Sequence, residues 1–416
     1  MQNKFVLVVL LFLSLSVKAQ QPLTLQDCYS LVDKNYPLAK QTNLLNEKLN
    51  YDLTALKKDK LPKIDVNAQA TYQSDVVGLP TPMPGVIPLN KDQYRATLDA
   101  NQLIYNGGLI DANIKLKEAQ TSTQQQQTLV NLYALKNSIN QYYFSILLLH
   151  EKKELLLAKK NVLVSKIKEV KSGVKFGAIL PSSEQVLEAE TIRIEQNLIE
   201  IDFEAAKLFN NLSNLTGTVI STNSTLVKPQ FNSSNETTLR PEIVLFDSQL
   251  KQLEVSKNII SKSLLPKITA FGQLGYGNPG LNMLDNSFQT FYVFGLKANW
   301  NVFDWGKNTT NKKAIDISKD LVQTEKETFE LNNKTQLEAQ DFEIKKAENL
   351  LLSDAKIIKL RESILKSADA QLKNGVITSS EYIVELTNLF EAKSTLTTHE
   401  VQAAAAKANY EIIKGK

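Results

Sequence analysis

Residues 64–73 have the sequence IDVNAQATYQ, in which apolar and polar side chains alternate at every position. A period of two places the apolar side chains on one face of a β-strand and the polar ones on the other. Three more segments alternate in this way, at residues 94–101, 268–276 and 292–302, although Phe271 interrupts an otherwise polar face. Strands of about ten such residues with aromatic ends are typical of membrane β-barrels. The edge of a soluble β-sandwich gives the same pattern, so the interpretation depends on all four segments together.

The alternating segments belong to an internal repeat. Three blocks of sequence recur at an offset of about 200 residues, which indicates a duplicated structural unit. The blocks are Leu-Pro-Lys-Ile at 61–64 and 265–268, Leu-x-Ala-Asn with a following Gly at 98–108 and 296–306, and Lys-x-Gly-x-Ile at 175–179 and 373–377. We therefore predict two structurally similar halves, residues 20–228 and 229–416.

Each half also contains a very long segment without glycine or proline, the residues that interrupt helices. These segments run from Gly108 to Gly173 and from Gly306 to Gly375. Their apolar residues recur at alternating steps of three and four, which is the seam of a coiled coil. The seam residues are Leu132, Leu135, Ile139, Tyr142, Ile146, Leu149, Leu156, Leu163, Ile167 and Val170 in the first half, and Leu337, Ile344, Ala347, Leu351, Ile358, Leu365, Ala368 and Leu372 in the second. A plain coiled-coil rod would share this seam but has no use for the strands.

Each half is thus predicted to contain a helix, two strands, a very long helix, a turn and another helix. The first half is predicted to have strands at about 62–75 and 92–105 and helices at about 108–173 and 181–215. The second half is predicted to have strands at about 266–278 and 289–303 and helices at about 306–374 and 379–413.

The N-terminus has the features of a secretory signal peptide. Lys4 precedes an apolar run from Phe5 to Val17, and Ala19 supplies a small residue for cleavage. The run is shorter than the ~20 residues that a membrane helix needs. We expect residues 1–19 to be removed on export, with an uncleaved anchor as the alternative. The only cysteine, Cys28, allows no internal disulfide and is interpreted as a small buried helix residue.

The composition argues against several classes of function. The net charge is +4, and no basic patch with interleaved aromatic residues suggests a nucleic-acid partner. The two histidines, His150 and His399, lie in different halves, so no cysteine and histidine cluster can bind a metal. Neither a phosphate-binding glycine loop nor a Gly-x-Ser-x-Gly motif is present. We predict no catalytic residues, no cofactor and no enzymatic activity.

Four strands are too few to close a barrel. An open sheet edge within a bilayer leaves backbone groups unpaired, at a cost of several kcal/mol each. Eight strands from two chains would leave little lumen, whereas twelve from three chains would leave a water-filled one. We therefore predict a homotrimer in contact with lipid. The proline-containing loop from Val76 to Asn90 and the loop from Asn278 to Asn286 would lie on the outside of the cell.

Short motifs in order along the chain resemble the TolC family of outer-membrane efflux proteins. They are Leu-Thr-Leu-Gln-Asp-Cys at 23–28, Asn-Tyr-Pro at 35–37, Arg-Pro-Glu at 240–242, both Leu-Pro-Lys-Ile blocks, and the joints Gly107-Gly108 and Trp305-Gly306. Each motif alone is weak, but together they span nearly the whole mature chain.

The resemblance implies a mostly α fold with membrane β, built from a duplicated helix-strand-strand-long helix-helix unit. Three chains would form a twelve-stranded β-barrel continued by a twelve-helix coiled-coil α-barrel, with an equatorial region around residues 216–238. The implied role is the exit duct of a tripartite efflux or type I secretion system. The partners would be a periplasmic adaptor and an inner-membrane pump, and the helical part would lie in the periplasm of a Gram-negative bacterium.

The resemblance also places the two helix turns at the periplasmic mouth. Glu381 occupies the position of a family acid that lines the narrowest lumen. The second family acid falls at Val384, with Glu385 adjacent, and the family basic residue falls at Ile377. The candidate gate residues are Glu381, Glu385, Glu184 and Ser183. The candidate adaptor contacts are Gly177, Ala178, Ile179 and Leu180 in the first turn and Gly375, Val376, Ile377 and Thr378 in the second. The simpler alternative is that both turns are helix hairpins and nothing more.

Two other classes of protein stay open at this point. A periplasmic adaptor is also rich in coiled coil, but it has one helical hairpin and many glycine-bounded strands, whereas this sequence predicts two hairpins and four strands. A purely structural coiled-coil protein without a pore would not need strands that face lipid.

Overall fold

A computed structural model describes residues 22–78, 87–177, 179–231 and 239–416. The predicted signal peptide, residues 1–19, lies outside the described residues, as do residues 79–86 of the proline-containing loop, Ala178, and residues 232–238 of the predicted equatorial region.

The two halves contain the same order of elements. The first half consists of α1 (Leu25–Asn35), a 3-10 turn (Pro37–Ala39), α2 (Lys40–Lys58), β1 (Lys63–Tyr72), β2 (Asp92–Tyr105), α3 (Leu109–Lys175) and α4 (Pro181–Thr216). The second half consists of α5 (Pro241–Lys262), β3 (Lys267–Asn278), β4 (Gln289–Asn299), α6 (Lys307–Lys373) and α7 (Ser379–Lys414). The opening helix of the first half is interrupted at Pro37, because proline lacks the backbone N–H that a helix interior needs.

The chain folds into two compact units that cut across the two halves. The helical unit contains the residues up to Lys40, Thr128–Pro241 and Thr328–Lys416, and the sheet unit contains Gln41–Gln127 and Glu242–Glu327. Each unit therefore takes chain from both halves, since α3 and α6 contribute residues to both units. The repeat describes the order of elements along the chain, whereas the units describe which segments pack together.

The sheet unit contains one antiparallel sheet with the strand order β1-β2-β3-β4. Within the described residues β1 and β4 each pair on one side only, so the sheet has two open edges. Both edge strands are shorter than the sequence predicts, at 63–72 instead of 62–75 and 289–299 instead of 289–303. Strand β2 continues to Tyr105 because its last residues pair with β3, and the corresponding end of β4 has no neighbouring strand.

The helical unit has a core in which α1 packs against α3 and α4. Cys28, Val32, Ile139 and Leu212 are at most 1% exposed. The hydroxyl oxygen of Tyr143 lies 2.9 Å from the backbone oxygen of residue 23 and 2.6 Å from that of residue 227, and its one hydrogen can be donated to either. Because one buried hydroxyl contacts both segments, it fixes the start of the described chain against the connection that follows α4.

The predicted coiled-coil seam of α6 is buried or half-buried throughout its length. In α3 the buried stripe is wider than predicted and includes Tyr143, Phe144 and Leu147, because this part of α3 also packs against α1. No helix of the described residues has the length and apolarity needed to cross a bilayer.

The thiol of Cys28 should be unreactive in the folded protein. Burial raises the pKa of its thiol to about 12, and the charge of the neighbouring Asp27 adds to this effect. Since the thiolate is the nucleophile, we expect maleimide labelling at pH 7.5 to be negligible in the native protein and complete after unfolding in guanidinium chloride. Rapid labelling of the native protein would contradict the described packing of α1.

Candidate functional site

One face of the sheet is apolar and exposed to an unusual degree. Tyr72 and Val66 of β1 are 79% and 78% exposed, and Phe294 and Leu296 of β4 are 78% and 74% exposed. The register places these side chains on the same face as Leu98 and Leu274 of the central strands. A continuous apolar face of this kind marks a surface that contacts lipid or another protein.

The opposite face of the sheet is rich in polar groups. The carboxylate of Asp99 accepts hydrogen bonds from Asn67 at 2.7 Å, from Thr97 at 2.8 Å and from Gln273 at 2.6 Å. These donors lie on three neighbouring strands, so a single acid ties β1, β2 and β3 together. Lys267 and Lys297 line the same concavity of about 730 Å³ as Asp99. This face is suited to water.

Two phenylalanines on the polar face each cover a glycine on the neighbouring strand. A Cβ at Gly275 would lie 2.1 Å from the ring of Phe291, and a Cβ at Gly295 would lie 3.0 Å from the ring of Phe271. The guanidinium of Arg95 lies 5.3 Å from the centre of the Phe291 ring. Phe271 interrupts the polar face in the sequence because of this packing: its aromatic ring covers the backbone that Gly295 exposes.

Left-handed glycines end both long helices of the helical unit. Gly177 and Gly375 have φ values of +73° and +69°, which favour glycine. At the second turn the amide of Val376 donates to the carbonyl of Gln371 at 2.9 Å. The turn positions predicted from the sequence are the turns of the structure.

Glu381 caps the first turn of α7. Its carboxylate accepts from the backbone N–H of Thr378 at 2.7 Å, and the Thr378 hydroxyl accepts from the Glu381 amide at 3.2 Å. This reciprocal pair is a capping box. The hydrogen bond from the Thr378 amide lowers the pKa of Glu381, and the Thr378 side chain adds to this effect. The acid is thus ionised and exposed, while its place in a lumen stays a prediction.

The other three gate candidates have local partners of their own. Glu184 lies 3.0 Å from Lys171. The amide of Ser183 donates to the carbonyl of Leu180 at 3.0 Å. Glu385 accepts from Arg361 at 3.3 Å. Within the described residues the structure therefore gives each of these groups a different environment, and Glu381 is the only one of the three acids with no ion-pair partner.

The residues predicted to contact an adaptor divide into two sets. Leu180 and Val376 are 73% and 70% exposed, and the nearby Phe176 is 80% exposed. Ile179 and Ile377 instead pack against the core of the helical unit, and Ile179 fills the space beside Gly173. Ile179 and Ile377 thus support the turns from inside, whereas Gly177, Leu180, Gly375, Val376 and Thr378 are exposed. Ala178 lies outside the described residues.

Charged residues occupy positions of the coiled-coil seam near these turns. Lys159 and Lys166 continue the three-and-four spacing of α3 and are 5% and 7% exposed. Lys159 lies 2.8 Å from Glu190 of α4 and donates to the hydroxyl of Thr387 of α7 at 3.1 Å. Lys166 pairs with Glu169 at 2.6 Å and with Asp369 of α6. Both lysines therefore connect the α3–α4 hairpin to the α6–α7 hairpin.

The coiled-coil seam of α6 also contains charged residues. Asp354 and Arg361 stand at seam positions where apolar residues would be expected. The carboxylate of Asp354 is 2.6 Å from the imidazole Nδ1 of His399, and Arg361 pairs with Glu385, both on α7. Reasoning from the sequence missed all four polar seam residues, although charges at heptad positions were a visible signal. Lys159, Lys166 and Asp354 are buried, and we interpret them as groups that fix which helices pair and in which register.

The ion pair between Lys166 and Asp369 shifts the pKa of both groups. Burial opposes ionisation of the Asp369 carboxyl, but hydrogen bonds from Lys166 and Lys373 outweigh it and hold the pKa of Asp369 below its usual value. Burial opposes the charge of Lys166, but its hydrogen bonds to Asp369 and Glu169 outweigh burial and raise the pKa of Lys166.

Within the described parts of the chain, no three or more histidine, cysteine, aspartate and glutamate side chains are placed to bind a metal. His150 is exposed, and His399 is held by Asp354.

No protein-family profile matches this sequence, and no curated protein does either. Solved structures do match. The structure of CusC, described with transmembrane channel formation, has a TM-score of 0.69 at 14% identity and covers 96% of this chain and 93% of its own. The outer membrane protein VceC of Vibrio cholerae has a TM-score of 0.68 at 15% identity, with coverages of 94% and 96%. The outer membrane channel CmeC of Campylobacter jejuni has a TM-score of 0.66 at 15% identity, with coverages of 94% and 85%.

The chain thus has the fold of these three proteins over nearly its whole length. The mostly helical fold with a small β part, which the resemblance to the TolC family implies, is confirmed for the single chain.

The packing of Phe291 on Gly275 can be tested by substitution, with Gly272 of the same strand as the control. We expect Gly275→Ala to destabilise the sheet by about 1–3 kcal/mol, because the new methyl group overlaps the buried ring. Gly272→Ala is the control, since a Cβ there meets nothing within 4 Å. Thermal unfolding followed by circular dichroism in detergent measures both variants. Equal stability of the two would contradict the described packing, and Phe291→Leu should partly rescue Gly275→Ala.

The ion pair of Asp369 predicts a dependence of stability on pH. A carboxyl whose pKa is lower in the folded state stabilises the fold above its unfolded pKa of ~3.9, and this contribution is lost as the pH falls through the folded pKa. We expect Asp369→Asn to lower the free energy of unfolding by roughly 1–3 kcal/mol at pH 7 and to weaken the acid sensitivity.

The control is Asp341→Asn, which removes an exposed pair with Lys345 within one helix. Such pairs contribute about 0.3–0.5 kcal/mol. Unfolding curves between pH 3 and pH 7 give both quantities. If the two variants behave alike, Asp369 does not stabilise the seam.

Proposed function

We propose that this chain is one third of an exit duct in the outer membrane of a Gram-negative bacterium. The duct conducts substrates passively from the periplasm to the exterior and catalyses no reaction. Its helical part lies in the periplasm. Known structures of the same fold, such as CmeC and OprN, are described as outer-membrane channels, which supports this proposal.

The observation that carries the proposal is the sheet. Its apolar face is exposed along all four strands, its other face is polar, and both of its edges are open within the described residues. Lipid would cover the apolar face, and water inside a pore would cover the polar one. The two requirements are met together only if several copies join edge to edge.

Three copies supply twelve strands, which enclose a water-filled lumen, whereas two supply eight and leave little space. We therefore propose a homotrimer. The assembly needs no added cofactor, since its only tasks are to exclude lipid and to hold a pore open.

The exposed residues of the two helix turns are suited to binding a partner protein. Phe176, Leu180 and Val376 expose apolar side chains on turns whose backbone is fixed by glycine. We propose that a periplasmic adaptor binds here and connects the duct to an inner-membrane pump, in a tripartite efflux or type I secretion system. A periplasmic adaptor or a coiled-coil protein without a pore would not explain an exposed aromatic face on the sheet.

Fractionation and channel recording test the proposal. We expect the protein in the outer-membrane fraction, as a detergent-solubilised trimer that dissociates on heating in sodium dodecyl sulfate. Planar bilayers that contain it should show discrete conductance steps. A stable monomer in buffer without detergent would overturn the proposal.

The gate role of Glu381 requires a variant that spares its helix cap. Glu381→Gln removes the charge, and glutamine can still complete a capping box. We expect block of the single-channel current by divalent cations to weaken at least about ten-fold, because each carboxylate attracts a unit charge by ~1 kcal/mol at about 4 Å in water and a divalent cation by twice as much. Glu184→Gln should have a smaller effect, since Lys171 already neutralises that acid. Unchanged block in Glu381→Gln would place Glu381 away from the constriction.

A further inference from the structure

The two hairpins of the sheet have the same register. Lys63 pairs with Asn101 in the first hairpin and Lys267 with Asn299 in the second. Ile64 pairs with Ala100, and Ile268 with Ala298. The sequence repeat and the structure therefore define the same pairs of equivalent residues. Further equivalent positions keep their identity, namely Gln69 and Gln273, Tyr72 and Tyr276, Tyr94 and Tyr292, and Leu98 and Leu296.

The contact between the two hairpins is a template for the contact between two copies. Inside the chain, β2 of the first hairpin pairs antiparallel with β3 of the second. The equivalent of β2 is β4, and the equivalent of β3 is β1, and these are the two open edges. A closed ring of duplicated hairpins presents the same kind of contact at every junction, so the β2–β3 register can be transferred to β4 and β1.

We propose that β4 of one copy pairs antiparallel with β1 of the next copy in one defined register. Asp99 opposite Gln273 becomes Lys297 opposite Gln69 of the next copy. Ala100 opposite Gly272 becomes Ala298 opposite Ala68, and Ala96 opposite Tyr276 becomes Phe294 opposite Tyr72. This inference rests on the proposed function, because it assumes that the edges join in a ring.

The side chains are complementary in this register. Inside the chain, the amide of Gln273 donates to the carboxylate of Asp99 at 2.6 Å. At the junction between copies a lysine replaces the aspartate, and the amide oxygen of Gln69 can accept from it, since a glutamine side chain both donates and accepts. On the lipid side, Phe294 and Tyr72 form an aromatic cross-strand pair, a favourable combination. Lys297 has no ion-pair partner within the described residues, and Phe294 and Tyr72 are both more than three-quarters exposed in one copy.

The lengths of the edge strands agree with this register. The pairing of β1 with β2 stops at Asn101. Residues 102–105 of β2 are therefore part of a strand only because they pair with β3. The equivalent residues 300–303 follow the end of β4 and have no strand beside them in one copy. The register would place them beside residues 64–66 of the next copy. The predicted strand 289–303 would then be complete in the assembly.

Cysteine pairs test the register in the assembled protein in its membrane. Residues directly opposite across antiparallel strands have Cα atoms about 4.5–5.5 Å apart, within the range of a disulfide. We expect Gln69→Cys with Lys297→Cys, or Ala68→Cys with Ala298→Cys, to give covalent trimers on mild oxidation. Two adjacent pairs are needed, because only one of them has the closer, non-hydrogen-bonded geometry. The native Cys28 is buried and stays in place.

Three controls make the result decisive. Asp99→Cys with Gln273→Cys should form the equivalent bond within one chain. The other two controls combine Lys297→Cys with either Thr71→Cys or Asn67→Cys, each two residues away from Gln69. In the proposed register these cysteines would be diagonal neighbours about 7–8 Å apart, and they should give little covalent product.

Cross-linking of a displaced pair in place of the direct pairs overturns the register and leaves the trimer intact. The same conclusion follows if the protein is a trimer and the direct pairs do not react while the control within the chain does. Absence of any link between chains, in a protein that is a monomer without detergent, instead overturns the proposed function.

Discussion

A backbone N–H or C=O group in a place without water must find a hydrogen-bond partner. In this chain the constraint acts on two strands, β1 and β4, each of which is paired on one side only within the described residues. In the proposed outer-membrane duct, the apolar face would turn this constraint into a requirement for assembly, because lipid on that face cannot replace the missing partners. In the register that we propose, the duplication of the chain provides the solution, since β4 of one copy would pair with β1 of the next.

The helical unit solves a different problem, which is to choose among many similar helix pairs. An apolar seam alone would permit several registers, because one leucine packs much like another. Lys159 and Lys166 on α3 and Asp354 and Arg361 on α6 remove this freedom, since each reaches a defined partner on another helix. Displacement of one helix along the other would leave Lys159, Lys166 and Asp354 buried and unpaired, at a cost of several kcal/mol.

The sequence predicts those features whose causes are local. Alternation at 64–73, the glycines at 177 and 375, and the seam of α6 could each be recognised within a short window. The missed features depend on residues that are distant in the sequence: Phe291 is explained by Gly275 on another strand, and Lys166 by Asp369 on another helix. The predicted end of β4 is wrong for one chain, because a strand there requires a neighbour that the chain does not supply. Glu381 shows the remaining gap, since its capping box is local whereas its position relative to a lumen depends on other copies.

The short edge strands of the sheet affect how a single copy can pair with other chains before assembly. An exposed strand edge is a template for incorrect pairing and aggregation, and natural proteins reduce this hazard by shortening the strand. In a lone copy β4 ends at Asn299 and β1 at Tyr72, so an unrelated chain would find a reduced surface for pairing. In the proposed trimer the full length would be offered only to a sister copy in register, and incomplete edges would thus protect the chain against incorrect pairing before assembly.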